Sequence, residues 1–203
     1  MKGDIMKKSI KDKKNEYIRE EIFSIAKEIV SKEGIDNLSI RKIAKKIGYS
    51  PGNIYQYYQN KDAIIEEILK EGYIKLIKSI SIEPKKDLSM IDQIKFKFEN
   101  YAKAAFEIPE IYREIMVNTS TNILKYTGIF QNKNKQKGIQ QLEMYLDKAV
   151  KNKEVKPMNT EEVSLILWSS IVGIILRSII EKNKDEKKVL NMIGKTIDIV
   201  LKD

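Results

Sequence analysis

Cysteine and histidine are both absent from these 203 residues. That removes a disulfide framework, a thiolate nucleophile, a Cys/His zinc centre and a Ser–His couple from consideration. Proline is scarce, with four residues, and glycine little commoner, with nine, so few positions interrupt long helices. The N-terminal stretch MKGDIMKKSIKDKK holds no apolar core of the about 7–15 residues that a secretory signal needs. The one candidate for a membrane span is Val163 to Leu176, whose fourteen uncharged residues fall short of the roughly twenty required. A helix buried between protein surfaces is expected there instead, in a cytoplasmic protein with no membrane partner. The acidic residues are scattered along solvated helix faces, and no metal site, cofactor or catalytic group is expected. An enzyme is not expected either.

What the chain does contain is charge and aliphatic residues. It is 42% hydrophobic and 33% charged, the composition of a folded helical protein rather than a disordered one. A chain of this length buries roughly 70% of its unfolded surface. Its net charge of +9 is unevenly spread. Residues 1–61 carry 14 basic and 8 acidic side chains, whereas residues 62–203 carry 24 and 21. Between Asn37 and Lys61 there are four Lys and one Arg and no acid at all. Such a concentrated positive field suits a polyanion.

The pattern inside that basic stretch is specific. Ile40, Ile43, Ala44 and Ile47 recur at helical spacing, with Ser39 before them and Gly48 after them as a helix stop. After Tyr49, Ser50 is placed to cap a second short helix that opens on Pro51, where a missing N–H costs nothing, and runs through Tyr57. Asn60 is placed to cap the next. Two short helices joined by a tight glycine-containing turn form a helix-turn-helix.

This ordered series resembles the TetR family of bacterial transcriptional regulators. The likeness runs from Ile22 to Leu69: an apolar first helix, Gly34, Leu38-Ser39, Ile43-Ala44, Gly48, Ser50, Gly52, Ile54-Tyr55, Tyr58 and Lys61-Asp62. Ser39, Tyr58 and Ile64 depart from the family's usual Thr, Phe and Leu while keeping the chemistry of each position. Tyr57 also departs, and leaves the operator sequence open. The resemblance implies a DNA-binding set of Ser39, Arg41, Ser50, Pro51, Gly52, Asn53, Tyr55, Gln56, Tyr57 and Lys61. Asn53 has the best chemistry for base readout, because a carboxamide can bond adenine in two places. Pro51, Gly52 and Asn53 open the recognition helix, whose dipole favours phosphate. The plain rivals are a solvated face for Lys42, Lys45 and Lys46 and core packing for Tyr55.

Pro84 with Lys85, Lys86 and Asp87 breaks the chain, dividing a basic arm (1–14) and a DNA-binding head (15–80) from a larger helical domain (81–203). Helix starts there are expected at Ser89-x-x-Asp92, Pro109 and Asn159-x-x-Glu162. The fold class is therefore all-α, with a helix-turn-helix head before a ligand-binding and dimerisation domain. By helix face, Phe98, Tyr101, Tyr112, Met116, Thr119, Asn122, Tyr145 and Trp168 would line a pocket for a small, largely apolar effector. Plain core is the rival for each aromatic. The segment 159–182 is apolar on nearly all sides, so Leu165, Val172 and Ile175, with Ile193 and Ile197 of the last helix, are expected at a homodimer seam. The expected function is a ligand-released repressor on a double-stranded palindromic operator; the alternative is an effector-independent or architectural DNA-binding protein.

Overall fold

The computed structural model describes residues 10–85, 87–117, 137–183 and 185–202. Among these there are helices and turns but no strand, as the sparse glycine and proline predict. The chain separates into two compact units, Met1–Ile68 and Leu69–Asp203.

In the first unit, α1 spans Ile10–Glu33. It begins earlier than the sequence suggests: residues 10–14 belong to the helix rather than to an arm, since Lys and Asp there include no breaker and Lys is a good helix former. The rest of the basic arm, residues 1–9, lies outside the described residues. Ile22, Ala26, Ile29 and Val30 are fully buried, while Phe23 and Ile25 are only half-buried. Gly34 ends the helix at φ 85°, and a 3-10 turn over Ile35–Asn37 leads on. Helix α2 (Ile40–Ile47) is capped by Ser39, whose hydroxyl accepts from the Lys42 N–H at 3.2 Å. It stops at Gly48, φ 82°, where a side chain would be strained. Helix α3 is a single turn, Pro51–Ile54, and Tyr55 to Tyr57 continue as a turn rather than as helix. Helix α4 spans Lys61–Ile80, and the Asn60 side chain accepts from the Ala63 N–H at 2.8 Å.

The division between units falls inside α4, not at the break near Pro84. A proline ends a helix, but packing decides which unit a helix turn joins. Ile64 and Ile68 complete the first core. Further along, Gly72 lies so close to α6 (Pro109–Val117) that a Cβ would come within 2.5 Å of Ile111 Cγ2.

The second unit adds α5 (Met90–Phe106), α7 (Lys137–Lys151), α8 (Thr160–Ile180) and α9 (Glu186–Lys202). The sequence-read caps form. The Asp92 N–H donates to Ser89 Oγ at 3.1 Å, and the Ser89 hydroxyl donates back to the Asp92 carboxylate at 2.7 Å. The Glu162 N–H donates to the Asn159 side chain at 3.3 Å. Helix α8 is long and apolar enough to cross a membrane. Its Leu167, Trp168, Ile171 and Ile175 are nevertheless buried, and it packs against α5, α6, α7 and α9.

Three seam residues named from the sequence need correction. Ile175, Ile193 and Ile197 are at most 1% exposed within their own chain, because α8 and α9 turn those faces toward each other and toward α5. Helix periodicity tells which residues share a face, not whether that face meets its own chain or a second one. Leu165 and Val172 are half-buried, and the apolar side chains left outside are Ile166, Ile180, Met192 and Ile199.

Candidate nucleic-acid interface

The helix-turn-helix is held rigid from behind. Ile40, Ile43, Ala44, Ile54 and Tyr58 are buried in the first unit, where α2 packs against α1 and α3. The Arg19 guanidinium makes a paired bond to Glu67, Nη1–Oε1 3.2 Å and Nη2–Oε2 2.5 Å, and lies 4.7 Å from the Tyr58 ring centroid. Burial pushes the Tyr58 phenol well above its ordinary range, so it stays neutral. This clamp fixes α1 to the start of α4, and with it the turn that carries α3.

The outward face sorts the basic residues. Lys42 pairs with Glu33, and Lys46 reaches Glu28 at 3.3 Å, a carboxylate it shares with Lys32 at 2.9 Å. Glu28 is held below the usual carboxylate range by its bonds to Lys32 and Lys46. These two lysines bind α2 to α1. Among the described residues no carboxylate pairs with Arg41, Lys45 or Lys61, and Arg41 and Lys45 are exposed. Ser39, Ser50, Pro51, Gly52, Asn53, Tyr55 and Gln56 are exposed too, while Tyr57 and Lys61 are half-buried. The residues named for DNA contact thus fall on α2, α3 and the turns beside them, with Lys61 the first residue of α4. One limit is visible at the edge. Gln56 and Tyr57 border an open groove shared with Asp12, Glu16 and Glu20, where a phosphate would meet negative charge.

The single turn of α3 weakens one expectation. A helix this short has few aligned peptides, so its dipole contributes little to phosphate binding, and side chains must carry more of the contact. Gly52 is informative here. A Cβ at that position would meet nothing nearer than Ser50 Oγ at 3.8 Å, so nothing inside the fold demands glycine. Gly52→Ala is therefore expected to raise thermal stability slightly, by up to about 1 kcal/mol. The same variant should weaken operator binding if the bare backbone faces DNA. Melting curves and titrations of one preparation check both, and an unchanged affinity would leave Gly52 without a DNA role.

The second unit contains a small cavity of about 20 Å³, bordered by Phe98, Tyr145 and Trp168 of the sequence-derived pocket set. Tyr101 and Tyr112 are packed behind it as core, with Tyr101 5.2 Å from Trp168 and 6.1 Å from Tyr112, ring centre to ring centre. Burial pushes both phenols well up. Met116 is half-buried on α6 and does not border the cavity. Thr119 and Asn122 lie outside the described residues. Lys97, Gly138, Gln141 and Leu142 border the cavity and were not anticipated. Lys97 could have been found: it sits in the stripe Ile94, Phe98, Tyr101, at spacings that put it on the inward face.

As a class this is an all-helical protein with a basic, acid-free helix-turn-helix at the front and a helical unit behind. Residues 22–68 match the family described as bacterial regulatory proteins, tetR family. The chain is 38% identical over 50 residues to an uncharacterized HTH-type transcriptional regulator of Haemophilus influenzae. Over 62 residues it is 34% identical to the fatty acid metabolism regulator protein of Bacillus subtilis. These matches cover 25% and 30% of this chain, and 27% and 31% of the two relatives. In three dimensions it is similar to the fatty acid degradation regulator FadR of Bacillus halodurans, with a TM-score of 0.66 over 94% of this chain and 96% of that one. At 14% identity that likeness establishes the fold alone. Residues 22–68 thus carry a segment similar to the tetR family of bacterial regulatory proteins, and the chain as a whole shares the fold of the solved neighbour.

Proposed function

We propose that this protein is a cytoplasmic, sequence-specific DNA-binding transcriptional regulator, acting as a homodimeric repressor released by a small apolar effector. The observation that carries the DNA reading is the exposed set Arg41, Lys45, Asn53, Tyr55 and Gln56, with no carboxylate among the described residues paired to its cations. Arg41 and Lys61 serve phosphate, and Asn53 and Gln56 serve base edges. Two copies set α3 into successive major grooves about 34–36 Å apart, which calls for an operator of matching two-fold symmetry.

Dimer formation is supported by the faces α8 and α9 leave outward. Ile166, Ile180, Met192 and Ile199 are each about half exposed or more. A Cβ at Gly173 or Gly194 would touch nothing, so the backbone there is open to close approach by a second helix. Leu165 and Val172 belong at the margin of that isologous seam.

Selection of bound fragments from random-sequence DNA tests the reading: an inverted repeat is expected, and a pool without consensus would favour the architectural alternative. A second measurement concerns Lys61. Lys61→Ala should weaken all sequences alike and lower the salt dependence of binding by roughly two units for the dimer. A slope equal to that of the unaltered protein would make Lys61 a solvated residue only. The cavity's size gives the effector-independent reading specific support, since about 20 Å³ admits a water and not a metabolite. Effector binding therefore requires the cavity to widen, and a broad ligand screen that never releases DNA would establish the effector-free case.

A further inference from the structure

The cavity beside Trp168 is apolar except at two points. Phe98, Leu142, Ile94 and Trp168 form most of its wall, and the ring of Trp168 packs onto Gly138 so closely that a Cβ there would lie 2.2 Å from it. Into this wall are set the ammonium of Lys97 and the carboxamide of Gln141. Lys97 is only 8% exposed, although lysine is almost never buried without a partner. Its Nζ donates to the Ile80 carbonyl at 2.8 Å and, more weakly, to the Ile82 carbonyl at 3.4 Å, and lies 5.0 Å from the Tyr145 ring centre. No carboxylate bonds to it among the described residues; Glu83 acts on it only through its field. Burial lowers the ammonium's pKa, the mark of a cation that would gain from a counter-charge.

Gln141 supplies an independent sign. Its Oε1 is buried and has no hydrogen-bond partner among the described residues. An unpaired buried amide costs about 1–3 kcal/mol, and the cost is recovered when a ligand group bonds to it. The two ends of a carboxamide are interchangeable by rotation, so its NH₂ can face the cavity as readily as its oxygen.

Resting on the effector reading above, we propose that the effector is a small hydrophobic monoanion whose carboxylate pairs with Lys97 and accepts a hydrogen bond from Gln141, its apolar body lying against Phe98 and Trp168. A polyanion is disfavoured because only one buried cation borders the cavity among the described residues. A neutral oil is disfavoured because it would leave the Gln141 amide unpaired and the Lys97 charge without a counter-ion. Tyr145 is the half-buried ring at the border, and its displacement both widens the cavity and frees the face of Lys97 that it covers.

The test compares 4-phenylbutyrate with 4-phenylbutanol, equal in shape and different in charge, by calorimetry and Trp168 emission on the full chain. The unaltered protein should bind the carboxylate at least tenfold more tightly. Lys97→Met should abolish that preference. Because Lys97 also caps the end of α4, the Lys97→Met chain could lose its fold, so Gln141→Leu provides a second variant. One lost hydrogen bond there should weaken carboxylate binding by roughly 3- to 10-fold. Equal binding of both compounds, unchanged by Gln141→Leu, overturns the anion assignment and leaves the apolar effector reading standing. Binding of neither compound overturns the anion assignment, and the broad ligand screen decides the effector reading separately.

Discussion

Ile175→Asp is expected to yield a chain whose second unit does not fold, and not a folded monomer. Ile175 is wholly buried within its own chain, on the face α8 turns toward α9 and α5. A carboxylate there would be cut off from water, and an uncompensated buried charge costs about 3–5 kcal/mol before the lost aliphatic packing is added. Domains of this kind are stable by only about 5–15 kcal/mol, so most or all of the margin is removed. Trp168 is the only tryptophan and lies on the same helix, so its emission should shift to that of a solvated indole. Ile199→Asp is the partner experiment. At 64% exposed, Ile199 has little packing in its own chain to lose, and its replacement should keep native emission while shifting sedimentation from dimer to monomer. A folded, dimeric Ile175→Asp protein would refute the core assignment, and a dimeric Ile199→Asp protein would move the seam elsewhere.

Asn53→Ala is expected to cost about 1–3 kcal/mol in each half-site. With two half-sites engaged, the dimer's operator affinity should fall by roughly tens- to thousands-fold, at tenfold per 1.4 kcal/mol. The residue is exposed on α3, and shortening it removes no contact within the fold that the structure displays. Unlike loss of a phosphate contact, this loss should be selective: nonspecific binding and its salt dependence should hardly change. The selected consensus should become tolerant at one position of each half-site. If the same consensus returned with equal stringency, base reading would belong to Gln56 or Tyr57 and not to Asn53.

Local sequence determined the helix-turn-helix almost completely. Ser39, Gly48 and Asn60 act on backbone groups within four residues of themselves, and such short-range interactions need no partner element. The same is true of the Ser89–Asp92 and Asn159–Glu162 caps and of the α8 and α9 periodicity. The acid-free basic stretch was legible because charge of one sign in a short segment survives any folding. What the sequence could not decide was which partner each face meets. Lys42 and Lys46 look like Arg41 and Lys45 on paper, and only the approach of Glu33 and Glu28 on α1 separates them.

The second unit depended most on tertiary structure. Ile175, Ile193 and Ile197 have the right periodicity for a seam, yet contacts between helices far apart in sequence assign them to the core. The division inside α4 likewise follows from which side chains pack with which, and not from the break at Pro84. Lys97 shows the same lesson in chemical form. A lysine on a helix is ordinarily solvated, and only the convergence of α4's last carbonyls, Tyr145 and the aromatic wall turns it into a buried cation. The helix-turn-helix and its likeness to the tetR family were legible in the sequence by itself, because both rest on local spacing. The core, the apolar side chains left outward and the cavity's chemistry were decided only by how distant segments meet.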